Sequence, residues 1–208
     1  ANVKTLREGH NGAAPGTFNF SYDAHNRLTN AFNYAYAYDT AGRITSYEGA
    51  ALGYDSVKKH AVNTVAGADR YDYDLNGNVT IRHKGLSTQQ TLTWSHENRL
   101  ASLTATGLSE SYLYDDAGIR VKKVSGSTTT YYPFPHYEVS GSTITKYYFF
   151  AGQRVAMKVN GTLYYLHGDH LSSTAYASTS SGSQQSGQAY YAYGRTRFVT
   201  GAPPSDHK

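Results

Sequence analysis

A short phrase that returns along the chain restricts what the chain can fold into. It reads aromatic residue, Asp, a polar stretch that often contains Gly, then Arg or Asn, an aliphatic residue and Thr. The clearest copies begin at Tyr22, Tyr38, Tyr73, Trp94 and Tyr114. Successive copies, with a degenerate one at Tyr54, start roughly 16 to 21 residues apart, which marks a stacked repeat architecture. This interval accommodates two strands and two turns, whereas a strand, helix and crossover need about 30 residues.

The residues around each copy predict a β-hairpin. Tyr and Ala alternate from Tyr34 to Tyr38, so three rings are expected on one face of a strand. After the Asp, the turn contains Gly42, Gly77 or Gly118, and glycine tolerates the positive φ of tight hairpin turns. The Asp carboxylate can accept hydrogen bonds from the turn amides. We therefore predict an all-β fold of consecutive antiparallel hairpins that form a curved or spiral sheet, as part of a β-shell or a filament-forming strip.

The phrase fades after residue 125, but strand signals continue over 128–132, 143–150, 155–159 and 162–167. The stretch 52–65 is ambiguous and is interpreted as a repeat with an irregular insertion. The Ser-, Gly- and Gln-rich stretch 178–188 predicts an exposed hairpin tip or a flexible loop. The predicted organisation is a hairpin array over 1–125, a β continuation over 126–200, and a C-terminal loop or truncated end over 201–208.

Composition excludes several classes of function. The chain has 208 residues, of which only 16% are charged, and it contains 21 Tyr against 7 Phe, a balance that suits half-exposed sheet. The net charge is +4, but Lys and Arg are scattered, with adjacent pairs only at Lys58-Lys59 and Lys122-Lys123, so we expect no nucleic-acid partner. There is no Cys, which excludes disulfides, thiolate zinc sites and cysteine catalysis. No apolar run reaches about 18 residues, so we expect no membrane insertion, and the first residues lack the pattern of a signal peptide.

The phrase Tyr-Asp-x-x-Gly-Arg-(Leu/Ile)-Thr, as at Tyr38–Thr45, resembles the YD repeat of the Rhs family. That family includes bacterial polymorphic toxins, the C components of insecticidal toxin complexes, and the teneurins of animals. The segment from His167 to Ser173 is similar to the family's His-x-Asp-His-Leu-Gly-Ser segment, with Ser172 in place of Gly. The segment from Tyr191 to Arg197 is similar to the family's Tyr-x-Pro-(Phe/Tyr)-Gly segment, with Ala192 in place of Pro.

The resemblance implies a strip of hairpins that larger members wind into a hollow shell. Such shells enclose a toxin polypeptide or serve as the rigid stalk of an adhesion receptor. In many bacterial members an Asp-Pro-x-Gly core motif with aspartates cuts off the toxin. This chain has no Asp-Pro pair, so neither self-cleavage nor toxin activity is expected of it, and it has too few repeats to close a shell alone.

Three constellations of polar residues raise the question of catalysis or metal binding. His167, Asp169 and His170 could be metal ligands or an acid–base pair. A metal site needs three or four ligands, however, and this segment offers at most two on one side, so a hairpin turn at Gly168-Asp169 is the favoured interpretation. The stretch that begins at Asp74 has the start of a calcium loop, but a tight turn explains it better. The sequence has no Gly-x-Ser-x-Gly nucleophile elbow that would support a Ser-His-Asp triad. We expect no catalytic residue, metal site or cofactor.

The repeat residues themselves are predicted to be structural, fixing turns and pairing neighbouring hairpins. These positions are Tyr22, Asp23, Arg27, Tyr38, Asp39, Gly42, Arg43, Tyr73, Asp74, Gly77, Trp94, Arg99, Tyr114, Asp115 and Gly118, with Arg120 as a further basic position. An exposed column of tyrosines could alternatively stack on sugar rings, although such columns more often pack on each other from strand to strand.

Three functions follow from this reasoning. The first is a non-enzymatic structural module of an extracellular or surface-displayed bacterial shell or scaffold, whose partners are the rest of a larger Rhs-type protein and an enclosed polypeptide cargo. The second is a subunit that assembles with copies of itself into a fibre or tube, because open sheet edges template further pairing. The third is a carbohydrate-binding adhesion surface.

Overall fold

The computed structural model describes residues 2–8 and 16–204, and this part of the chain consists of β-strands joined by turns, with no helix. The predicted all-β class of consecutive antiparallel hairpins is confirmed. The described residues therefore contain no helix that could span a bilayer. The chain divides into two compact units between Leu92 and Thr93. The predicted boundary near residue 125 falls at the end of a strand in the second unit.

The first unit is made of short strands. Its strands are β1 Thr5–Glu8, β2 Gly16–Asn19, β3 Ser21–Tyr22, β4 Leu28–Ala31, β5 Tyr34–Ala35, β6 Ala37–Tyr38, β7 Ile44–Tyr47, β8 Ala50–Tyr54, β9 Val62–Val65, β10 Ala68–Asp69, β11 Tyr71–Tyr73 and β12 Val79–Arg82. Strands β1 to β10 form small antiparallel sheets in which β1 pairs with β2, β3 to β5 follow in order, and β6 to β10 follow in order, whereas β11 pairs with β12. Strand β13, Gln90–Trp94, contains the division between the units.

The second unit has longer strands in one antiparallel sheet. They are β14 Leu100–Ala105, β15 Leu108–Tyr114, β16 Arg120–Ser125, β17 Thr128–Phe134, β18 Tyr137–Ser140, β19 Thr143–Phe150, β20 Gln153–Val159, β21 Thr162–Gly168, β22 Thr174–Thr179, β23 Gln184–Tyr190 and β24 Thr196–Gly201. The order of strands in the sheet is the order in the chain, so each strand pairs with the one before it and, except for the last strand β24, with the one after it. Such a sheet is a direct product of the hairpin repeat, because every connection is a short turn.

One face of this sheet carries the core of the second unit. Tyr147, Met157, Leu166 and Ala177 lie on neighbouring strands β19 to β22 and form a buried cluster, in which Met157 is only 1% exposed. Tyr147 and Leu166 alternate along their strands with exposed neighbours, as expected for a sheet that is apolar on one side, whereas Met157 and Ala177 each stand beside a second buried residue. The core therefore holds adjacent hairpins against each other across their strands.

Two stretches differ in detail from the sequence prediction. Of the two interpretations of 178–188, the hairpin tip is found and the flexible loop is wrong: 180–183 form the turn of a hairpin, and the buried residues Ser178 and Ser186 lie in its strands β22 and β23. Small serine side chains fit between closely packed strands, so a composition typical of loops also suits a tightly paired hairpin. The alternating run from Tyr34 to Tyr38 is divided between β5 and β6, with Tyr36 between them at 3% exposure.

The C-terminal prediction is tested only in part, because 205–208 lie outside the described residues. Gly201 is the last residue of β24, and 202–204 continue without regular structure.

Candidate functional site: the repeat turns and the contacts between them

The five clear copies of the phrase fold into the same five-residue turn, which we call the repeat turn. In the copy from Asp39 to Arg43, the amide of Asp39 donates to the carbonyl of Arg43 at 2.9 Å, and the amide of Gly42 donates to the carbonyl of Asp39 at 3.0 Å. The fourth residue, Gly42, has a φ of +83°. The sheet register shifts by one residue just before the turn, where Tyr38 lies opposite Ile44. This combination of bulge and positive φ closes a tight hairpin.

The repeat turn occurs well beyond the copies that the sequence reveals. Both hydrogen bonds and the positive φ at the fourth residue are found at 23–27, 39–43, 74–78, 95–99, 115–119, 169–173, 179–183 and 191–195. The last three lie after residue 125, where the phrase fades. Thr179 and Tyr191 open two of them without a carboxylate, so the backbone hydrogen bonds define the turn. In these turns the feature that the sequence still shows is a residue that accepts positive φ at the fourth of the five positions.

The Asp carboxylate supports the turn from inside. Oδ1 of Asp39 accepts the amide of Arg43 at 2.9 Å, and Oδ2 accepts Nε of the same arginine at 2.7 Å. Asp23 and Arg27 repeat this geometry. Burial alone would raise the pKa of Asp39, but the hydrogen bonds and charge of Arg43 lower it below its usual value. The hydrogen bond from the Arg27 amide lowers the pKa of Asp23. These Asp–Arg ion pairs therefore lie within one turn.

A basic side chain connects four of the turns to the next repeat. The guanidinium of Arg43 lies 4.6 Å from the ring centroid of Tyr54 and donates to the carbonyl of Lys59, in the following turn, at 2.6 Å. Arg99 lies 5.7 Å from the ring of Tyr114 and donates to the carbonyl of Gly118 at 2.7 Å. We call this contact the inter-repeat bridge. Its pairs are Arg27–Tyr38, Arg43–Tyr54, Lys58–Tyr73 and Arg99–Tyr114.

The degenerate repeat at Tyr54 keeps the bridge with a different residue. Oδ1 of Asp55 accepts the amides of Val57 and Lys58, and the amide of Asp55 donates to the more distant carbonyl of Ala61. The longer turn leaves Lys58 to take the arginine's place, with Nζ 6.0 Å from the ring centroid of Tyr73 and hydrogen-bonded to the carbonyl of Asp74. The sequence pattern does not point to Lys58, because this residue does not occupy the arginine position of the phrase.

The opening tyrosines contact the preceding repeat through their hydroxyl groups. The hydroxyl of Tyr54 donates to the carbonyl of Ile44 at 2.7 Å, and burial raises the pKa of Tyr54. The other tyrosines repeat the bond at 2.6–3.0 Å in the pairs Tyr22–Val3, Tyr38–Leu28, Tyr73–Val62, Tyr114–Leu100 and Tyr190–Thr174. Except for Tyr22, whose acceptor Val3 precedes β1, each such tyrosine lies against the strand that leaves the earlier turn, and four of them also lie beneath its basic side chain. Their rings are half-buried between repeats, which leaves little free face for a sugar.

Two predicted positions depart from the pattern. In the copy that opens at Trp94, Ser95 replaces Asp, and its hydroxyl accepts the amide of Arg99 at a longer 3.3 Å. Arg120 is not paired with Asp115 in any ion pair of the described residues; its guanidinium lies 4.7 Å from the ring centroid of Tyr132. Ile119 occupies the fifth position of that turn, so Arg120 is displaced by one residue into β16.

The remaining copy with a predicted aspartate, at Asp74, is also an ordinary repeat turn. Asp74 accepts the amide of Asn78 at 2.8 Å and its side-chain amide at 2.9 Å, and Gly77 has a φ of +90°. These hydrogen bonds occupy the carboxylate that a calcium loop would need.

The three candidate residues for chemistry do not converge. Asp169 opens a repeat turn and accepts the amides of Leu171 and Ser173 on Oδ1 at 2.8 and 3.0 Å. His167 lies in β21, where Nε2 is 3.0 Å from the hydroxyl of Ser178. His170 is exposed within the turn. In the described part of the chain no three His, Asp or Glu side chains group as metal ligands would.

A cavity of about 380 Å³ lies in the second unit beside the irregular end of β17. Arg120 and Arg154 line it together with Asp115 and Glu138, and several aromatic rings complete its wall. Because the two guanidinium groups are matched by two carboxylates, the cavity has no net charge that would select a ligand. The polar side chains of the repeat turns, in contrast, hold one hairpin against the next.

Comparison with known proteins identifies the fold. No family model matches the sequence, and no curated protein matches it significantly. Among solved structures, the chain is similar to a chain of the Tc holotoxin pore of Photorhabdus luminescens, with a TM-score of 0.65 and 16% identity over 90% of this chain and 12% of that one. It is also similar to a chain of a TcdB2–TccC3 crystal structure, with a TM-score of 0.72 and 17% identity over 92% of this chain and 13% of that one. This chain thus has the fold of a small part of much longer toxin-complex chains.

Proposed function

We propose that this chain is a section of an Rhs-type YD-repeat array with a mechanical, non-catalytic role in a bacterial shell or scaffold that works outside the cell. The observation that carries the proposal is the inter-repeat bridge. In Arg43–Tyr54 and Arg99–Tyr114, each turn is fastened to the next by a hydrogen bond and a ring contact. A recurring brace of this kind stiffens a sheet, and it uses the polar groups that catalysis would require.

The similarity to chains of toxin complexes supports a more specific role. This chain spans only 12–13% of the length of those chains, so its partners are proposed to be the rest of a larger protein and a polypeptide enclosed by it. In that role the array forms part of a wall that separates the enclosed polypeptide from solvent. The repeat residues from Tyr22 to Gly118 are proposed to be structural, and His167, Asp169 and His170 to have no chemical role.

Protease protection tests this role in the native protein that contains the chain. A polypeptide enclosed by the wall should resist a protease that degrades the same polypeptide when it is free. Replacing Arg43 and Arg99 with Ala should make the enclosed polypeptide degradable at denaturant concentrations at which the wild-type protein still protects it. A polypeptide that is degraded equally in both forms would exclude an enclosing wall.

A second candidate function is self-assembly, which the strand order supports. Strand β24 ends the sheet of the second unit, and an unpaired edge can pair with a further strand. Head-to-tail pairing of copies would give a fibre. Light scattering and negative-stain microscopy of the purified chain distinguish the candidates: filaments at micromolar concentration favour assembly, and a monodisperse monomer excludes it.

A further inference from the structure

The face of the second-unit sheet opposite the buried core carries two continuous rows of side chains. Residues directly opposite each other on antiparallel strands share a face, so the register assigns each row. The first row crosses β15 to β19 through Leu113, Lys122, Tyr131, Val139 and Ile144. The second row crosses β18 to β21 through Tyr137, Lys146, Lys158 and Leu163. We call these two rows the lysine–tyrosine face.

The charge on this face is uncompensated. Lys146 and Lys158 lie directly opposite each other on β19 and β20, and like charges in that position destabilise a sheet. No ion pair of the described residues involves either of them or Lys122. Nζ of Lys146 lies 5.7 Å from the ring centroid of Tyr137, and a bound anionic group would offset the positive charges of both lysines. The arrangement therefore points to a ligand that carries negative charge.

The acidic residues of the same strands lie on the other face. Glu110 and Glu138 are the only acids in strands β15 to β21, and their cross-strand partners are Ser125 and Thr145. On that face Lys123 is bound to Glu110 at 2.8 Å. The one lysine of that face in these strands, Lys123, is thus neutralised within the chain, whereas Lys122, Lys146 and Lys158 of the lysine–tyrosine face are left for an external partner.

The face is also apolar enough to exclude a purely electrostatic partner. Leu113 is 59% exposed, Tyr131 is 50% exposed and Ile144 is 39% exposed, all in the first row. Nζ of Lys122 lies 5.7 Å from the ring centroid of Tyr131, so the charge is held beside the apolar surface. Exposed apolar surface with a polar rim marks sites of protein interaction, and tyrosine is enriched in such interfaces.

We propose that the lysine–tyrosine face binds an extended, acidic polypeptide segment that also carries aliphatic side chains. Carboxylates would lie at the Lys146–Lys158 pair, and aliphatic groups would lie on Leu113, Tyr131 and Ile144. The aliphatic residues favour a polypeptide over a nucleic acid or a polysaccharide, neither of which has side chains to cover them. The first row crosses four strand intervals, about 19 Å, which matches roughly six residues of extended chain. The inference does not depend on the proposed wall.

A labelled peptide with a repeating Glu-Glu-Val-Val sequence tests the proposal, because each side of this extended chain alternates acid and aliphatic groups. In fluorescence anisotropy, the full chain should bind it and should not bind the matched Gln-Gln-Val-Val peptide. Lys146→Gln and Lys158→Gln should each weaken binding roughly tenfold, which corresponds to about 1.4 kcal/mol. Ile144→Ser should weaken it as well. Lys59→Gln removes the same charge in the first unit and should leave binding unchanged.

Several results would overturn the proposal. They are no binding of the acidic peptide by the wild-type chain, equal binding of both peptides, or unchanged binding by the Lys146 and Lys158 variants. Heparin and single-stranded DNA are run in parallel as other polyanions. If either binds to this face and the peptide does not, the partner is not a polypeptide. Thermal melts followed by circular dichroism establish that each variant is folded.

Discussion

A single methyl group at Gly118 tests the inter-repeat bridge. A Cβ at this position would lie 1.6 Å from Nη2 and 1.7 Å from Cζ of Arg99, so the guanidinium would have to move away. It would then lose its 2.7 Å hydrogen bond to the carbonyl of Gly118 and its position 5.7 Å from the ring of Tyr114. Gly107 is the matched control, because its φ of +72° is close to the +77° of Gly118 and a Cβ there contacts nothing within 4 Å.

The two substitutions to Ala should differ by the value of the bridge. Both incur the cost of positive φ, roughly 1–2 kcal/mol. Gly118→Ala also loses a charge-assisted hydrogen bond and a cation–π contact, and after the freed guanidinium regains water we expect about 1–3 kcal/mol of additional destabilisation. In a chain of this size, each kcal/mol lowers Tm by about 2–4 °C.

Urea unfolding of the two variants measures the difference, and the Arg99→Ala background provides the control. In that background no guanidinium obstructs the new methyl group, so Gly118→Ala and Gly107→Ala should cost the same to within about 0.5 kcal/mol. Equal costs already in the presence of Arg99 would refute the bridge. A difference that persists in the Arg99→Ala background would show that its cause is not Arg99.

Four further predictions follow from the same geometry. The pKa of Asp39 is lowered in the folded chain. The contribution of its carboxylate to stability is therefore present above the unfolded pKa of 3.8 and is lost as the pH falls through the lower folded pKa. Urea midpoints measured against pH should show this loss of stability, and the Asp39→Asn variant should show a smaller loss. Tyr54→Phe should cost about 0.5–1.5 kcal/mol of unfolding free energy, because it removes the hydrogen bond from the Tyr54 hydroxyl to the carbonyl of Ile44. Because the pKa of Tyr54 is raised from 10.0 in the folded chain, the contribution of this hydroxyl to stability should disappear as the pH rises through the folded pKa. A variant whose stability depends on alkaline pH in the same way as that of the wild type would contradict this. Lys146→Glu should raise Tm, since it turns a like-charge pair with Lys158 into an attractive one, and a lowered Tm would contradict the register. Replacing His167 and His170 with Ala should leave metal content by mass spectrometry unchanged, and loss of a stoichiometric metal would assign them a site.

The individual hairpin could be predicted from the sequence because its determinants are local. Asp39, Gly42 and Arg43 lie within one turn, and the conformational preference of Gly and the reach of the carboxylate are properties of those residues alone. The repeat turns at Thr179 and Tyr191 could not be identified in this way. They keep the backbone hydrogen bonds but not the carboxylate, so little of the phrase remains to be recognised.

Contacts between hairpins could not be predicted, because they depend on how successive hairpins align. Arg43 contacts Tyr54 and Lys59 only once two strands have been placed in register. Lys58 makes the equivalent contact after a longer turn, and no fixed spacing leads to it. The lysine–tyrosine face has the same origin: Lys122, Lys146 and Lys158 are scattered in the sequence, and the pairing of β15 to β21 collects them on one side.

Cryo-electron microscopy of the native protein that contains this chain tests the central claim most directly. The account predicts that this region is a continuous hairpin sheet inside a larger one, with β24 paired to a further strand and the guanidinium groups of Arg43 and Arg99 lying over Tyr54 and Tyr114. A map in which the region forms an isolated domain, or in which these arginines point into solvent away from the following repeat, would contradict it.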